Sequence, residues 1–170
     1  MSQSLSLVII HVNFSTKDRR AFLDKELRAA MHSYLATVVR NAGCEYYRVG
    51  GAENHVHLAI RLSRSLTIAD LVEQLKTSSS KWLKTQWPNL KDFSWQRGYG
   101  CFSIAPKDLD ALIDYIDRQP KHHLNQTFQD EFRKFLDRYG VNTTRHTYVL
   151  RKADLGLCPR LVLNGPLAQA

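Results

Sequence analysis

From Leu5 to Phe14 the chain reads LSLVIIHVNF, a run of β-branched and apolar residues ended by Ser15-Thr16 and the charged Lys17-Asp18-Arg19-Arg20, which predicts a buried strand. Between Phe22 and Ala42 the apolar residues Leu23, Leu27, Ala30, Met31, Tyr34, Leu35 and Val38 recur at steps of three and four, the spacing of a helix with one core face. Gly43 is placed to stop that helix. Cys44 to Val49 and His55 to Leu62 then predict a hairpin whose turn, Gly50 to Asn54, is longer than the tight two-residue kind. Thr67 caps a second helix over Ile68 to Trp87, with Leu71, Leu75, Trp82 and Leu83 on its apolar side and Pro88 at its end. Gly98 to Ile104 reads as a fourth strand. Pro106 opens a third helix, whose dipole Asp108 and Asp110 complement, through Leu109, Leu112, Ile113 and Ile116 to Pro120.

The order β-α-β-β-α-β-α predicts an α+β, ferredoxin-like (RRM-like) βαββαβ sandwich: a four-stranded antiparallel sheet with two helices on one face, plus an added C-terminal helix that carries Tyr115. The other sheet face is left for function or a partner. A further helix is expected over Thr127 to Tyr139. Residues 1–140 are read as one domain and 141–170 as a tail that docks or pairs.

Composition narrows the class. With 44% hydrophobic residues in 170, the chain can bury a core, which excludes disorder as its main state. No apolar run approaches the roughly 20 residues of a spanning helix, and the N-terminus lacks a basic signal region, so neither a membrane partner nor export is expected. Cys44, Cys101 and Cys158 are widely spaced without a CxxC pair, which fits neither a disulfide framework nor a thiolate zinc site and predicts a reduced, cytoplasmic protein. Twenty-four Lys+Arg against 16 Asp+Glu give a net charge of +8, which favours a polyanionic partner because each neutralised phosphate releases counterions.

His55-Val56-His57 lies in a strand, whose period of two turns both imidazoles to one face, where they could share a divalent ion or simply be a partly buried pair. Tyr115 and Gln119 lie four apart on the third helix and project from one side, although Tyr115 alone fits an ordinary core position. Trp95-Gln96-Arg97-Gly98-Tyr99-Gly100 offers aromatics for base stacking and glycines for close backbone approach, or else a plug at the end of the sheet. His122 and His123 follow Lys121 as a basic stretch.

Together, Glu53-Asn54-His55-Val56-His57-Leu58, the later Trp-Gln-Arg-Gly-Tyr-Gly-Cys-Phe-Ser and Tyr-Ile-Asp-Arg-Gln-Pro-Lys-His-His resemble the single-tyrosine HUH transposases of bacterial insertion sequences, including the REP-associated tyrosine transposases, over about Leu5 to Tyr139. The resemblance implies a metal-dependent enzyme that cleaves and rejoins single-stranded DNA bearing hairpins. Tyr115 matches the nucleophile, His55 and His57 the metal-binding pair, and Gln119 the third ligand, for Mg²⁺ or Mn²⁺ and without any nucleotide cofactor. Asn54 stands where an acidic residue is usual. The resemblance further implies a homodimer in which the tyrosine helix of one subunit completes the other's site; Pro120, followed by Lys121-His122-His123, is read as a break at which that helix could pivot. DNA contacts are expected from Lys76, Lys81, Lys84, Arg97, Lys121, His122 and His123, with stacking on Trp95 and Tyr99. Two competing readings are a metal-dependent phosphodiesterase using water, and a non-catalytic nucleic-acid-binding module that stacks bases on its sheet.

Overall fold

The computed structural model describes residues 5–122, with side chains through Gln119. Its strands are β1 (Ile9–Ser15), β2 (Glu45–Ala52), β3 (His55–Arg61) and β4 (Gly100–Ile104), and its long helices are α1 (Lys25–Asn41), α2 (Ile68–Gln86) and α3 (Leu109–His122). The strands form one antiparallel sheet in the order β2-β3-β1-β4. This is the expected α+β sandwich, with α1 and α2 on one face and α3 on the other.

Strand alternation creates the two faces. Ile10, Val12 and Phe14 of β1 and Val56, Leu58 and Ile60 of β3 join Leu27, Met31, Leu35 and Val39 of α1 and Leu71, Leu75 and Leu83 of α2 in the main core. Ile9, Ala59 and Ile104 turn the other way and pack with Leu112 and Ile116 of α3 in a smaller cluster. The helix starts are set locally: the Leu27 N–H donates to Asp24 Oδ1 at 2.9 Å, and the Asp70 N–H donates to Thr67 Oγ1 at 3.1 Å. Gly43, at φ +71°, ends α1 in the left-handed region that glycine adopts without a Cβ penalty.

Several boundaries differ from the sequence reading. Leu5, Leu7 and Val8 are exposed and precede the strand, because pairing with β3 begins at Ile9. The β2–β3 turn is the tight two-residue kind after all: Ala52 pairs with His55, leaving only Glu53 and Asn54 between the strands. Gly50 and Gly51 therefore belong to β2. α3 does not end at Pro120 but runs through it to His122, so Pro120 is not a break. The expected helix over 127–139, His123 and the 141–170 tail lie outside the described residues. Among the described residues, no helix is long and apolar enough to cross a membrane.

Gly50 positions α3. It pairs with His57 across β2–β3, and a Cβ there would come within 2.5 Å of Ile116 Cγ2 and 3.0 Å of the Ile116 carbonyl oxygen. That carbonyl has no i+4 helical donor, because residue 120 is proline. The bare glycine lets it settle on the sheet. Gly50→Ala should therefore lift α3, costing about 1–3 kcal/mol of stability as an overpacked contact. Urea unfolding checks this; an alanine variant as stable as wild type would refute the role.

Candidate active site

The α3-facing side of the sheet gathers the residues of interest. β1 continues past Ile9 with His11, Asn13 and Ser15 on that face, and the register sets Asn13 opposite His57 and Ser15 opposite His55. His11, Asn13, His55 and His57 are all buried, as is Gln119 on α3, while Tyr115 is half-buried. Packing of α3 on β2 and β3 brings Tyr115 over the histidines: its ring centroid lies 5.5 Å from His57, edge to face at 89°, and 6.1 Å from His11. The His55 and His57 rings stand 4.9 Å apart and nearly perpendicular.

The polar contacts orient the two histidines. His55 Nδ1 lies 2.8 Å from Asn54 Oδ1 and His55 Nε2 lies 3.0 Å from Gln119 Oε1, two acceptors of which a neutral imidazole can satisfy only one. A neutral imidazole that gives its Nδ1 proton to Asn54 has a lone pair at Nε2. That lone pair and the Gln119 carbonyl oxygen both turn electron density into the same gap, an arrangement a divalent cation resolves. Two adjacent ligands of an octahedral cation with bonds of about 2.1 Å also lie about 3.0 Å apart. The residues therefore fit a cation held by His55, His57 and the Gln119 amide. Among the described residues, no three His, Cys, Asp or Glu side chains converge on a metal position.

His57 Nδ1 shares a 2.9 Å hydrogen bond with His11 Nε2, with the rings 5.1 Å apart and 23° from parallel. Burial pushes the His11 imidazole down to about 3, so it stays neutral at working pH. The sequence reading missed His11. Its signal was the alternation His11-Val12-Asn13-Phe14-Ser15, which puts three polar side chains on one face just as His55-Val56-His57 does.

The expected DNA-contact residues separate into groups. Trp95 is buried: its Nε1 donates to Ser79 Oγ at 2.9 Å and its ring meets Phe14 and Phe93 edge-on at 4.8 and 5.0 Å. It is a plug of the main core rather than a stacking platform. The Lys76 ammonium donates to the carbonyls of Gln96, Arg97 and Gly98 at 2.8, 3.2 and 2.6 Å and sits over Phe14 and Tyr99, so it pins the loop before β4. Lys81 and Lys84 are exposed on α2, across the sheet from the histidines. Arg97 and Tyr99 are exposed at the histidine end. Lys121 and His122 fall in the last turn of α3.

A basic loop joins Arg97 there. The Thr16 N–H donates to the Asn54 carbonyl, the Lys17 N–H to Ser94 and the Gln96 N–H to Ser15, each at 2.8 Å, so the segments after β1, before β3 and before β4 are knit together. Lys17 and Arg20 are exposed on this loop, while Asp18 and Arg19 adopt φ of 54° and 53°, a conformation costly for side-chain-bearing residues.

A crystal structure of a transposase candidate from Deinococcus radiodurans R1 is similar to the chain, with a TM-score of 0.58, 20% identity and coverage of 71% of this chain and 98% of that one. So is a REP-associated tyrosine transposase bound to a REP hairpin, with a TM-score of 0.52, 19% identity and coverage of 72% and 74%. At these identities the likeness establishes the fold. No curated protein sequence is similar enough to count as a relative. The family described as IS200-like transposases matches residues 4–119, a span running from before β1 to Gln119. The chain belongs to the IS200-like transposase family.

Proposed function

We propose that the protein cleaves and rejoins single-stranded DNA at hairpin-bearing ends, through a covalent link between Tyr115 and a 5′ phosphate. The observation that carries this reading is the placement of the Tyr115 ring against His57, beside the His55–Gln119 pair. The Tyr115 phenolic oxygen attacks the scissile phosphorus and its proton passes to solvent. The bond from phosphorus to the 3′ oxygen breaks, and that oxygen takes up a proton as a free 3′-OH. Because the phosphodiester is conserved in the tyrosine link, a second 3′-OH can attack it and rejoin strands without a nucleotide cofactor.

His55, His57 and Gln119 are the proposed ligands for Mg²⁺ or Mn²⁺, which when bound supplies Lewis-acid polarisation of a non-bridging phosphate oxygen. Asn54 keeps His55 oriented, and burial beneath α3 excludes water from the pair. The proposed setting is the cytoplasm. Each chain offers one tyrosine while strand exchange involves two ends, so a homodimer is part of the proposal. Within the single chain Tyr115 lies over its own histidines, which favours a site closed in cis over the exchange of tyrosine helices.

The hairpin substrate is proposed from the structurally similar REP-associated protein, which is bound to one. Lys17, Arg20 and Arg97, with Tyr99 beside them, form the strand path this fold suggests, at the histidine end of the sheet. Binding should then prefer a hairpin with a single-stranded flank over plain duplex and weaken about 10-fold or more between 50 and 200 mM salt. Fluorescence anisotropy with labelled oligonucleotides tests this; equal affinity for duplex and hairpin, or indifference to salt, would contradict it.

A further inference from the structure

We propose that His11 is a positioning residue for His57, holding that ring with its proton on Nδ1 so that Nε2 is left as the ligating atom. The inference rests on the metal reading above and deepens it. β1 places His11 on the histidine face, and in the sheet it stands opposite Ala59, one diagonal step from His57. The 2.9 Å contact joins His11 Nε2 to His57 Nδ1, and one proton lies between them. If that proton belongs to His11, then His57 carries its own on Nε2 and cannot ligate a cation there. If it belongs to His57, its Nε2 presents a lone pair. A ligating histidine whose other nitrogen donates to a fixed acceptor is the arrangement that sets ring orientation and ligand basicity.

His11 is suited to be that acceptor because it is itself immobilised. It is fully buried, with Phe102 at 6.3 Å and Tyr115 at 6.1 Å between ring centroids. Asn54 stands in the same relation to His55, so each candidate ligand has its Nδ1 occupied by a neutral side chain. His11 meets both His57 and the tyrosine ring. One imidazole thereby couples the aim of His57 to the seat of Tyr115.

Imidazole nitrogen NMR on the full-length, metal-free chain reads the tautomer directly: His57 protonated at Nδ1 is expected, and protonation at Nε2 would overturn the proposal. Mn²⁺ titration calorimetry reads the consequence. His11→Leu should weaken binding by about 10–100-fold, and His11→Gln, whose carbonyl oxygen can take the Nδ1 proton, should recover most of that loss. Leucine binding as tightly as wild type, or glutamine no better than leucine with both unfolding like wild type, would overturn it. Should leucine fail to fold, the wild-type tautomer decides alone. A wild-type chain with the expected tautomer that binds no Mn²⁺ would instead overturn the metal reading itself.

Discussion

Tyr115→Phe should reduce cleavage of hairpin-bearing single strands by roughly 10⁴-fold or more, while leaving hairpin affinity close to wild type. The substitution removes one oxygen. The ring that packs edge-on against His57 and His11 is kept, so α3 stays seated on β2 and β3 and the basic loop at the histidine end is untouched. The oxygen is the proposed attacking atom, and no neighbouring hydroxyl on α3 could replace it: Ile113, Asp114, Ile116 and Asp117 offer none. Gel assays of nicking and binding on one preparation check both halves. Nicking by the phenylalanine variant at wild-type rates would remove Tyr115 as nucleophile and favour attack by water.

His55→Ala and His57→Ala should each lower Mn²⁺ affinity by at least about 100-fold and abolish cleavage with either Mg²⁺ or Mn²⁺. Each leaves one imidazole and the Gln119 amide, a pair too weak to hold a cation at neutral pH. The two variants should differ in one respect. His57→Ala also deprives His11 of its 2.9 Å partner deep in the sheet, an unsatisfied buried group costing about 1–3 kcal/mol, whereas His55→Ala breaks contacts to Asn54 and Gln119 at the sheet's end. His57→Ala should accordingly melt lower. Isothermal titration and thermal unfolding measure the two effects. Normal cutting by both variants in Mg²⁺ would contradict the ligand assignment.

Much of the architecture was legible because periodicity reports which side of an element is buried. The steps in α1 and α2 and the alternation in β3 led directly to the sandwich, and the same alternation put His55 and His57 on one face. The sequence could not show which face α3 would cover. α3 lies over the histidines, which also closes the surface that a base-stacking sheet would leave open and so weakens the binding-module reading. Gly50 and Gly51 looked like turn residues, because glycine suits turns; their actual use is a close approach of β2 to Ile116 and to the His55 backbone. Trp95 and Lys76 have the residue types of a nucleic-acid surface, yet Ser79, Phe14 and three backbone carbonyls claim them. Nothing local marks such a partner before the chain folds. His11 was within reach of the alternation argument but was hidden by the apolar run from Leu5, of which the first four residues precede β1.

The central claim is a covalent link between Tyr115 and DNA. Incubating the full-length chain with Mn²⁺ and a hairpin oligonucleotide whose cleavage site is blocked against rejoining, then digesting and analysing by mass spectrometry, tests it most directly. The account predicts a peptide containing Tyr115 that carries a 5′-phosphodeoxynucleotide, accompanied by one equivalent of DNA with a free 3′-OH. Cleaved DNA with free 5′-phosphate ends and no adduct on Tyr115 would contradict it.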